Sequence, residues 1–363
     1  MKHIDDLDTP ALVIDLDLLE RNIREMARFA GEACVRLRPM IKTHKMPEVT
    51  RMQLEFGAAG ILAAKIGEAE VMVDSGVDDV VLAYPVIGQE KVRRLLDLAG
   101  RSRVTVSVDS EEAVCQLAEV PEELDVLIII DSGLRRLGVK PEDAPGIARC
   151  VAKFPRLRLK GVATHAGHVY AAKHGEQRDE IARGEAAAVI RAKEYLQNAG
   201  FDCEVVAVGS TPTARVAGRV PGITEIRPGN YVFYDMIQVA LGVVPEDRCA
   251  LTVRATVIST PEPGRAVIDA GSKALALDTG AHGLDAVVGF GRVRNRPGVV
   301  IQRLSEELGV LCYPPEERVS TGQKLDIIPN HACTVVNLFD QAYACRKDRI
   351  EGVFRIEARG RMI

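Results

Sequence analysis

Two lysines stand at the ends of short apolar segments: Lys42 after Met40-Ile41, and Lys65 closing Ala58–Lys65. Burial in an apolar setting frees a lysine amine for attack on a carbonyl, which it can hold as a Schiff base. Placement alone does not choose between the two. Further on, Gly209-Ser210-Thr211-Pro212-Thr213 supplies hydroxyls, and Arg227-Pro228-Gly229-Asn230-Tyr231 supplies glycine and asparagine. Backbone N–H groups in such loops can turn towards an anion, so a phosphate-bearing ligand is expected. A third group is Asn330-His331-Ala332-Cys333. On an extended chain His331 and Cys333 project to one face. Imidazole with thiolate suits zinc, with open positions left to water or substrate. Gly289-Phe290-Gly291 lacks the third glycine of a dinucleotide loop, and the chain carries no Walker, HExxH or GxSxG element.

Eight apolar segments position these residues: Val35–Lys42, Ala58–Lys65, Asp79–Pro85, Arg103–Asp109, Asp125–Asp131, Leu157–His168, Cys203–Thr211 and Ile223–Asn230. Helical patterns lie between them. Ser110-Glu111-Glu112 and Pro141-Glu142-Asp143 open two helices, and His174–Gln197 is the longest periodic segment. Strand followed by helix, eight times, predicts an α/β fold of the (β/α)8, TIM-barrel type. Chemistry in such barrels collects at the C-terminal strand ends. Lys42, Lys65, Tyr84, Asp109, Arg136, His165, Ser210 and Arg227 would then share one rim.

After residue 240 the pattern turns to alternating strands: Ala250–Thr260, Arg265–Asp269, Asp285–Val293, Val299–Glu306, Lys324–Ile328, Cys333–Phe339 and Gly352–Arg359. A C-terminal, mostly-β domain follows from this. The strand-like Thr9–Asp15 has no place in the barrel count and fits that domain. The expected division is therefore a barrel over 16–240 and a β domain over 1–15 and 241–363.

The chain has 363 residues, 47% of them hydrophobic, and a formal net charge of −4. That balance gives no reason to expect nucleic acid or a membrane surface as partner. Its apolar runs are too short to span a bilayer, and the N-terminus has no secretory pattern, so a cytoplasmic protein is expected. Eight cysteines without a CxxC pair read as reduced thiols, with Cys34, Cys115, Cys150 and Cys203 as small buried hydrophobes. His44 and Lys45 read as surface-loop residues, with contact to substrate as the alternative, and His282 has no evident partner.

Together the segments carry a resemblance. TPALVIDLDLLERNI (Thr9–Ile23), RPMIKTHK (Arg38–Lys45), DSGLRRLGV (Asp131–Val139), THAGH (Thr164–His168), GSTPT (Gly209–Thr213), EIRPGNYVFYD (Glu225–Asp235) and PNHAC (Pro329–Cys333) occur in order along nearly the whole chain. The chain resembles the fold-type III pyridoxal 5'-phosphate (PLP) enzymes, of which alanine racemase is best known. Within them it is most similar to the D-threonine aldolase and D-serine dehydratase branch. The resemblance implies that Lys42, rather than Lys65, holds PLP as a Schiff base. It implies that Arg136 approaches the phenolic oxygen and that His165 lies against the pyridine ring. Gly209, Ser210, Thr211, Gly229, Asn230 and Tyr231 would cradle the phosphate, and Arg227 would face the pyridine nitrogen. His331 and Cys333 would be ligands of a divalent metal (zinc, manganese or magnesium). Many D-threonine aldolases carry aspartate where this chain has Cys333; a cysteine there resembles D-serine dehydratases, and also aldolases and dehydratases that act on 3-hydroxyaspartates.

The implied activity is a PLP- and metal-dependent lyase of D-amino acids with a β-hydroxyl. Retro-aldol cleavage to glycine and an aldehyde is the first expectation. Dehydration of D-serine or 3-hydroxyaspartate to a keto acid and ammonia is the alternative, since both need the same residues. A racemase, which would need a second base and no metal, and a non-catalytic PLP carrier rank below. The resemblance also implies a homodimer with a shared active site.

Overall fold

The computed structural model describes residues 3–118, 123–281, 284–285 and 287–363; His282 lies outside them. Two compact units emerge. One comprises Arg24–Lys42, Val49–Gly229 and Gly360–Ile363; the other comprises Met1–Ile23, Thr43–Glu48 and Asn230–Arg359. The loop from Asn230 to Ala240 thus clusters with the β unit, and the last four residues with the barrel unit.

Strand β1 (Ala11–Asp15) opens the chain. It is followed by β2 (Arg36–Leu37), β3 (Ile61–Ala63), β4 (Asp79–Leu82), β5 (Arg103–Val108), β6 (Leu124–Ile129), β7 (Leu157–Ala163), β8 (Val205–Val208) and β9 (Glu225–Ile226). Helices α1 (Leu16–Glu32), α2 (Pro47–Glu55), α3 (Ile66–Asp74), α4 (Gln89–Ala99), α5 (Glu111–Cys115), α6 (Ala144–Val151), α7 (Gly175–Asn198) and α8 (Ala214–Ala217) fall between them. β2 to β9 form one parallel sheet in the order β2-β9-β8-β7-β6-β5-β4-β3. A bridge between Met40 and Leu62 and a hydrogen bond from Ala59 N to Leu37 O bring the first strand back to β3. The barrel fold expected from the repeat is therefore present. Parallel strands covered on both faces read as unbroken apolar runs, and all four residues of β8 are buried.

The regular strands are shorter than their apolar segments. β2 stops at Leu37, since Pro39 cannot donate to a ladder, and Ile41–Thr43 winds into a single 3-10 turn. In β7 the register shifts between its pairings Val126↔Leu159 and Leu127↔Gly161, which marks a bulge. Gly161 there has φ +147, and a Cβ on it would lie 2.0 Å from Val205 O. Neither a positive φ nor that clash suits a side chain, so Gly161→Ala is expected to cost at least about 2 kcal/mol. Chemical denaturation checks this; a loss below about 0.5 kcal/mol would show that β7 and β8 can part.

The β unit contains α9 (Met236–Ala240), α10 (Ser272–Leu275) and α11 (Ala332–Val336). Its later strands are β10 (Leu251–Glu262), β11 (Arg265–Ile268), β12 (Gly280–Ala281), β13 (Leu284–Asp285), β14 (Arg292–Val293), β15 (Val300–Leu304), β16 (Gly309–Cys312), β17 (Lys324–Ile328), β18 (Gln341–Arg346) and β19 (Arg349–Arg355). Nine of the unit's strands join in the order β11-β16-β15-β14-β17-β10-β1-β18-β19, and β10 also pairs with β11. β1 lies antiparallel to β10 and parallel to β18.

One expected strand is a helix. Cys333–Phe339 reads as a strand because Thr334, Val335 and Val336 are β-branched, a weak preference that packing overrides. The buried carboxylate of Asp235 accepts the Ala332 N–H at 2.9 Å, which fixes the first turn of α11, and Val335 and Val336 fill the interior. His331 and Cys333 therefore do not share one extended strand: His331 is the extended residue capping α11, and Cys333 lies in its first turn. Cys34 and Cys115 are exposed rather than buried, Cys34 because it ends α1 with φ 55; Cys150 and Cys203 are buried. His44 and Lys45 are buried, not surface residues.

Candidate functional site

Within the barrel unit, Lys42, Lys65, Tyr84, Asp109, Arg136, His165, Ser210 and Arg227 each follow the C-terminal end of a different strand of one parallel sheet. Lys42 is half-buried in the turn after Met40, whereas Lys65 is exposed at the start of α3. Arg136 rides on a tight arch. Asp131 Oδ1 accepts from the Gly133 and Arg135 N–H groups, and Asp109 Oδ2 accepts from Gly138 N. The Arg136 guanidinium is exposed and stands 5.5 Å from the centre of the Tyr84 ring. His168 packs on Gly133 of the same arch, where a Cβ would come within 3.0 Å of its ring. Burial holds the His168 pKa below its ordinary value, against the pull of Asp131.

His165 has its Nδ1 2.6 Å from Gly209 O. A carbonyl only accepts, so Nδ1 carries a proton. Ser210, Thr211 and Thr213 are buried hydroxyl residues, with Ser210 Oγ 2.9 Å from Thr213 Oγ1. Gly209 passes so close to Arg227 that a Cβ would sit 2.8 Å from the Arg227 Cβ. Arg227 is buried and donates from Nε to Glu225 Oε1 at 2.7 Å. Arg38 Nε donates to Glu225 Oε2 at 3.1 Å and its Nη1 to Asp79 Oδ1 at 2.6 Å. Burial alone would raise the Glu225 pKa, but the Arg227 and Arg38 guanidiniums hold it below the usual carboxylate range. Glu225 therefore stays ionised; burial lowers the Arg227 pKa, and the Glu225 carboxylate opposes that shift. Half-buried amine, buried hydroxyl loop and anchored guanidinium form a donor set that fits a phosphorylated aromatic aldehyde such as PLP.

Within the β unit, Asn230 and Tyr231 are buried, and Asn230 Nδ2 donates to Asp235 Oδ2 at 2.5 Å. The same oxygen receives Ala332 N, so one carboxylate joins the Asn230 turn to the start of α11. His331 Nδ1 faces Asp278 Oδ1 at 3.1 Å, and Cys333 Sγ lies 3.2 Å from Thr43 Oγ1. Burial would lower the His331 pKa; Cys333 and Asp278 outweigh it and raise the value well above the ordinary one. A histidine whose Nδ1–H meets a carboxylate presents Nε2, the arrangement common behind metal-ligating imidazoles. Among the described residues no group of three or more His, Cys, Asp or Glu side chains could hold a metal.

Glu225, Glu185, Asp235 and Asp278 were not among the expected site residues. Glu225 had a signal, standing two positions before Arg227 and so on the same strand face. Glu185 had another, since it shares a helical face with Ala182, Ala186, Ala188 and Val189. Asp278 lies in a loop and had none.

Comparison with known proteins places these residues in a lineage. The alanine racemase N-terminal domain family matches residues 14–236. The chain belongs to the fold-type III PLP enzymes. A serine dehydratase domain family matches residues 250–345. Two relatives from this PLP family align over almost the full chain. D-threo-3-hydroxyaspartate dehydratase of Delftia sp. strain HT23 is 37% identical over 94% of this chain and 95% of that protein. D-threonine aldolase of an Arthrobacter species is 30% identical over 98% and 93%. The crystal structure of D-threonine aldolase from Filomicrobium marinum superposes with a TM-score of 0.92 at 32% identity, covering 99% of this chain and 98% of that one. Solved forms of D-threo-3-hydroxyaspartate dehydratase include a histidine-to-alanine variant and a cysteine-to-alanine variant in a metal-free form. Those two altered positions are separated by two, the spacing of His331 and Cys333.

Proposed function

We propose that this protein is a PLP- and divalent-metal-dependent lyase of D-3-hydroxy amino acids. The observation that carries the reading is the carboxylate-backed His331 beside Cys333 in a chain of the PLP family. PLP, when bound, supplies the electron sink for charge left at Cα. The proposed holders are Lys42, Arg136, His165, Gly209, Ser210, Thr211, Arg227, Gly229, Asn230 and Tyr231. Lys42 Nζ carries the proton that moves at Cα. Arg227, paired with Glu225, disfavours a proton on the pyridine nitrogen, and His165 orients the ring. His331 Nε2 and Cys333 Sγ are the proposed ligands of a divalent metal, zinc by the softness of the pair, whose contribution is Lewis-acid chemistry at the β-hydroxyl.

Two outcomes follow from the same residues. When the β-hydroxyl loses its proton to solvent, the Cα–Cβ bond breaks to release an aldehyde, and Lys42 Nζ gives a proton to Cα so that glycine forms. When Lys42 takes the α-proton, hydroxide leaves and hydrolysis gives a keto acid and ammonia. The 37% identical relative supports dehydration and the Filomicrobium enzyme supports aldol cleavage, neither better than the other. Family resemblance makes a cytoplasmic homodimer with a shared active site part of the proposal. Among the described residues no helix is long and apolar enough to cross a membrane.

The test is product analysis with D-threonine, D-serine and D-3-hydroxyaspartate, with and without a chelator. Chelator-sensitive aldehyde plus glycine is the aldolase; chelator-sensitive keto acid plus ammonia is the dehydratase. Formation of the L-enantiomer despite the chelator would overturn the lyase.

A further inference from the structure

Glu185 is a carboxyl residue of zero exposure in the middle of α7. A charged residue on the apolar face of a helix needs a reason. Its Oε1 accepts two backbone N–H groups, Ala166 at 3.2 Å and Gly209 at 2.9 Å. These belong to two different rim loops: Ala166 follows His165, and Gly209 precedes Ser210-Thr211. The bond between His165 Nδ1 and Gly209 O ties the same loops a second time. Its other oxygen, Oε2, is buried with no hydrogen-bond partner among the described residues, although the Thr213 hydroxyl faces the carboxyl.

An ionised carboxylate in this place would leave one charged oxygen dry, which is costly. A neutral acid carries no charge to desolvate: Oε1 serves as the carbonyl acceptor, and the proton on Oε2 faces the Thr213 hydroxyl oxygen. Burial pushes this carboxyl up, in the same direction, and outweighs the Thr213 hydroxyl and the Gly209 and Ala166 amides, which pull it down. Neutrality also matters for the neighbouring loop, since a buried negative charge behind Ser210-Thr211 would repel a phosphate held there.

We propose that Glu185 is a positioning residue for the cofactor. Held as the neutral acid, it clamps the His165 loop to the phosphate loop and adds no negative charge behind the phosphate. This rests on the PLP site read above.

The experiment strips PLP from the full-length chain and titrates it back. It follows cofactor absorbance and competition by inorganic phosphate in the wild type, Glu185→Gln, Glu185→Met and Glu185→Asp. Glutamine copies the neutral acid and keeps both N–H bonds. Glu185→Gln is expected to bind PLP within about threefold of wild type with an unmoved absorbance band. Methionine matches the volume without an acceptor, and aspartate is too short to reach both amides. Each is expected to weaken PLP and phosphate binding at least about tenfold. A tenfold loss in Glu185→Gln would mean that an anion is needed and overturns the proposal. Wild-type affinity in Glu185→Met or Glu185→Asp, with only a lowered Tm, would make Glu185 purely structural and also overturns it. If Glu185→Met does not fold, the aspartate and glutamine arms decide. Wild-type binding of PLP that ignores inorganic phosphate overturns the phosphate-loop reading itself, and the clamp with it.

Discussion

Replacing Lys42 with alanine is expected to lower turnover at least about 10³-fold, because the residue is assigned both the link to PLP and the proton at Cα. The visible absorbance of the lysine-linked cofactor should vanish at the same time. Stability should hardly change, within about 1 kcal/mol. The side chain is only half-buried, and the turn Ile41–Thr43 is held by its buried neighbours Ile41 and Thr43. Lys65→Ala is the matched control. Lys65 is exposed and its side chain caps nothing, so its loss should leave rate and spectrum as they were. A Lys42→Ala protein that keeps the spectrum, or a Lys65→Ala protein that loses it, would reverse the assignment.

Removal of metal is expected to have the next largest effect. Chelation, His331→Ala or Cys333→Ala should each lower the rate by about 10² or more while PLP stays bound. Re-addition of zinc, manganese or magnesium to the chelated wild type then ranks the metals by recovered rate. Asp278→Asn tests the carboxylate behind His331. It should weaken metal affinity about 10- to 100-fold without removing a ligand. Full activity after exhaustive chelation, with no metal found by elemental analysis, would end the metal reading. These variants separate cleanly from Lys42→Ala, because cofactor absorbance survives in one set and not in the other.

The barrel was legible because parallel strands and their helices alternate in hydrophobic pattern, and the pattern recurs eight times. Strand ends were less legible. Pro39 and the turn at Ile41–Thr43 shorten β2, and the apolar pattern does not register a lost hydrogen bond. The β unit was readable as a class but not in detail. Thr334-Val335-Val336 looks like a strand locally, and its helix depends on burial of Val335 and Val336 and on the Asp235 carboxylate, far away in sequence, that holds its first turn. The residues assigned to the cofactor lay in motifs that could be recognised. Their supports did not: Glu185 and Asp278 act through contacts whose partners are distant in the chain. The pairing of Arg227 with Glu225 was legible, since both lie on one face two positions apart, and Glu185 was marked as a carboxylate on an apolar helix face though not by its partners.

The place of β1 in the sheet has a consequence for biosynthesis. Ala11 pairs with Arg254, and Val13 with Tyr343. This strand therefore leaves the ribosome long before either partner, and waits while more than two hundred further residues are made. At roughly 5–20 residues per second that wait is about 10 to 50 s. An unpaired strand of buried apolar residues is exposed to wrong partners throughout it. A chain lacking Ala11–Asp15 would meet the opposite hazard: β10 and β18 would be left with facing bare edges, open to the N-terminal strand of another copy.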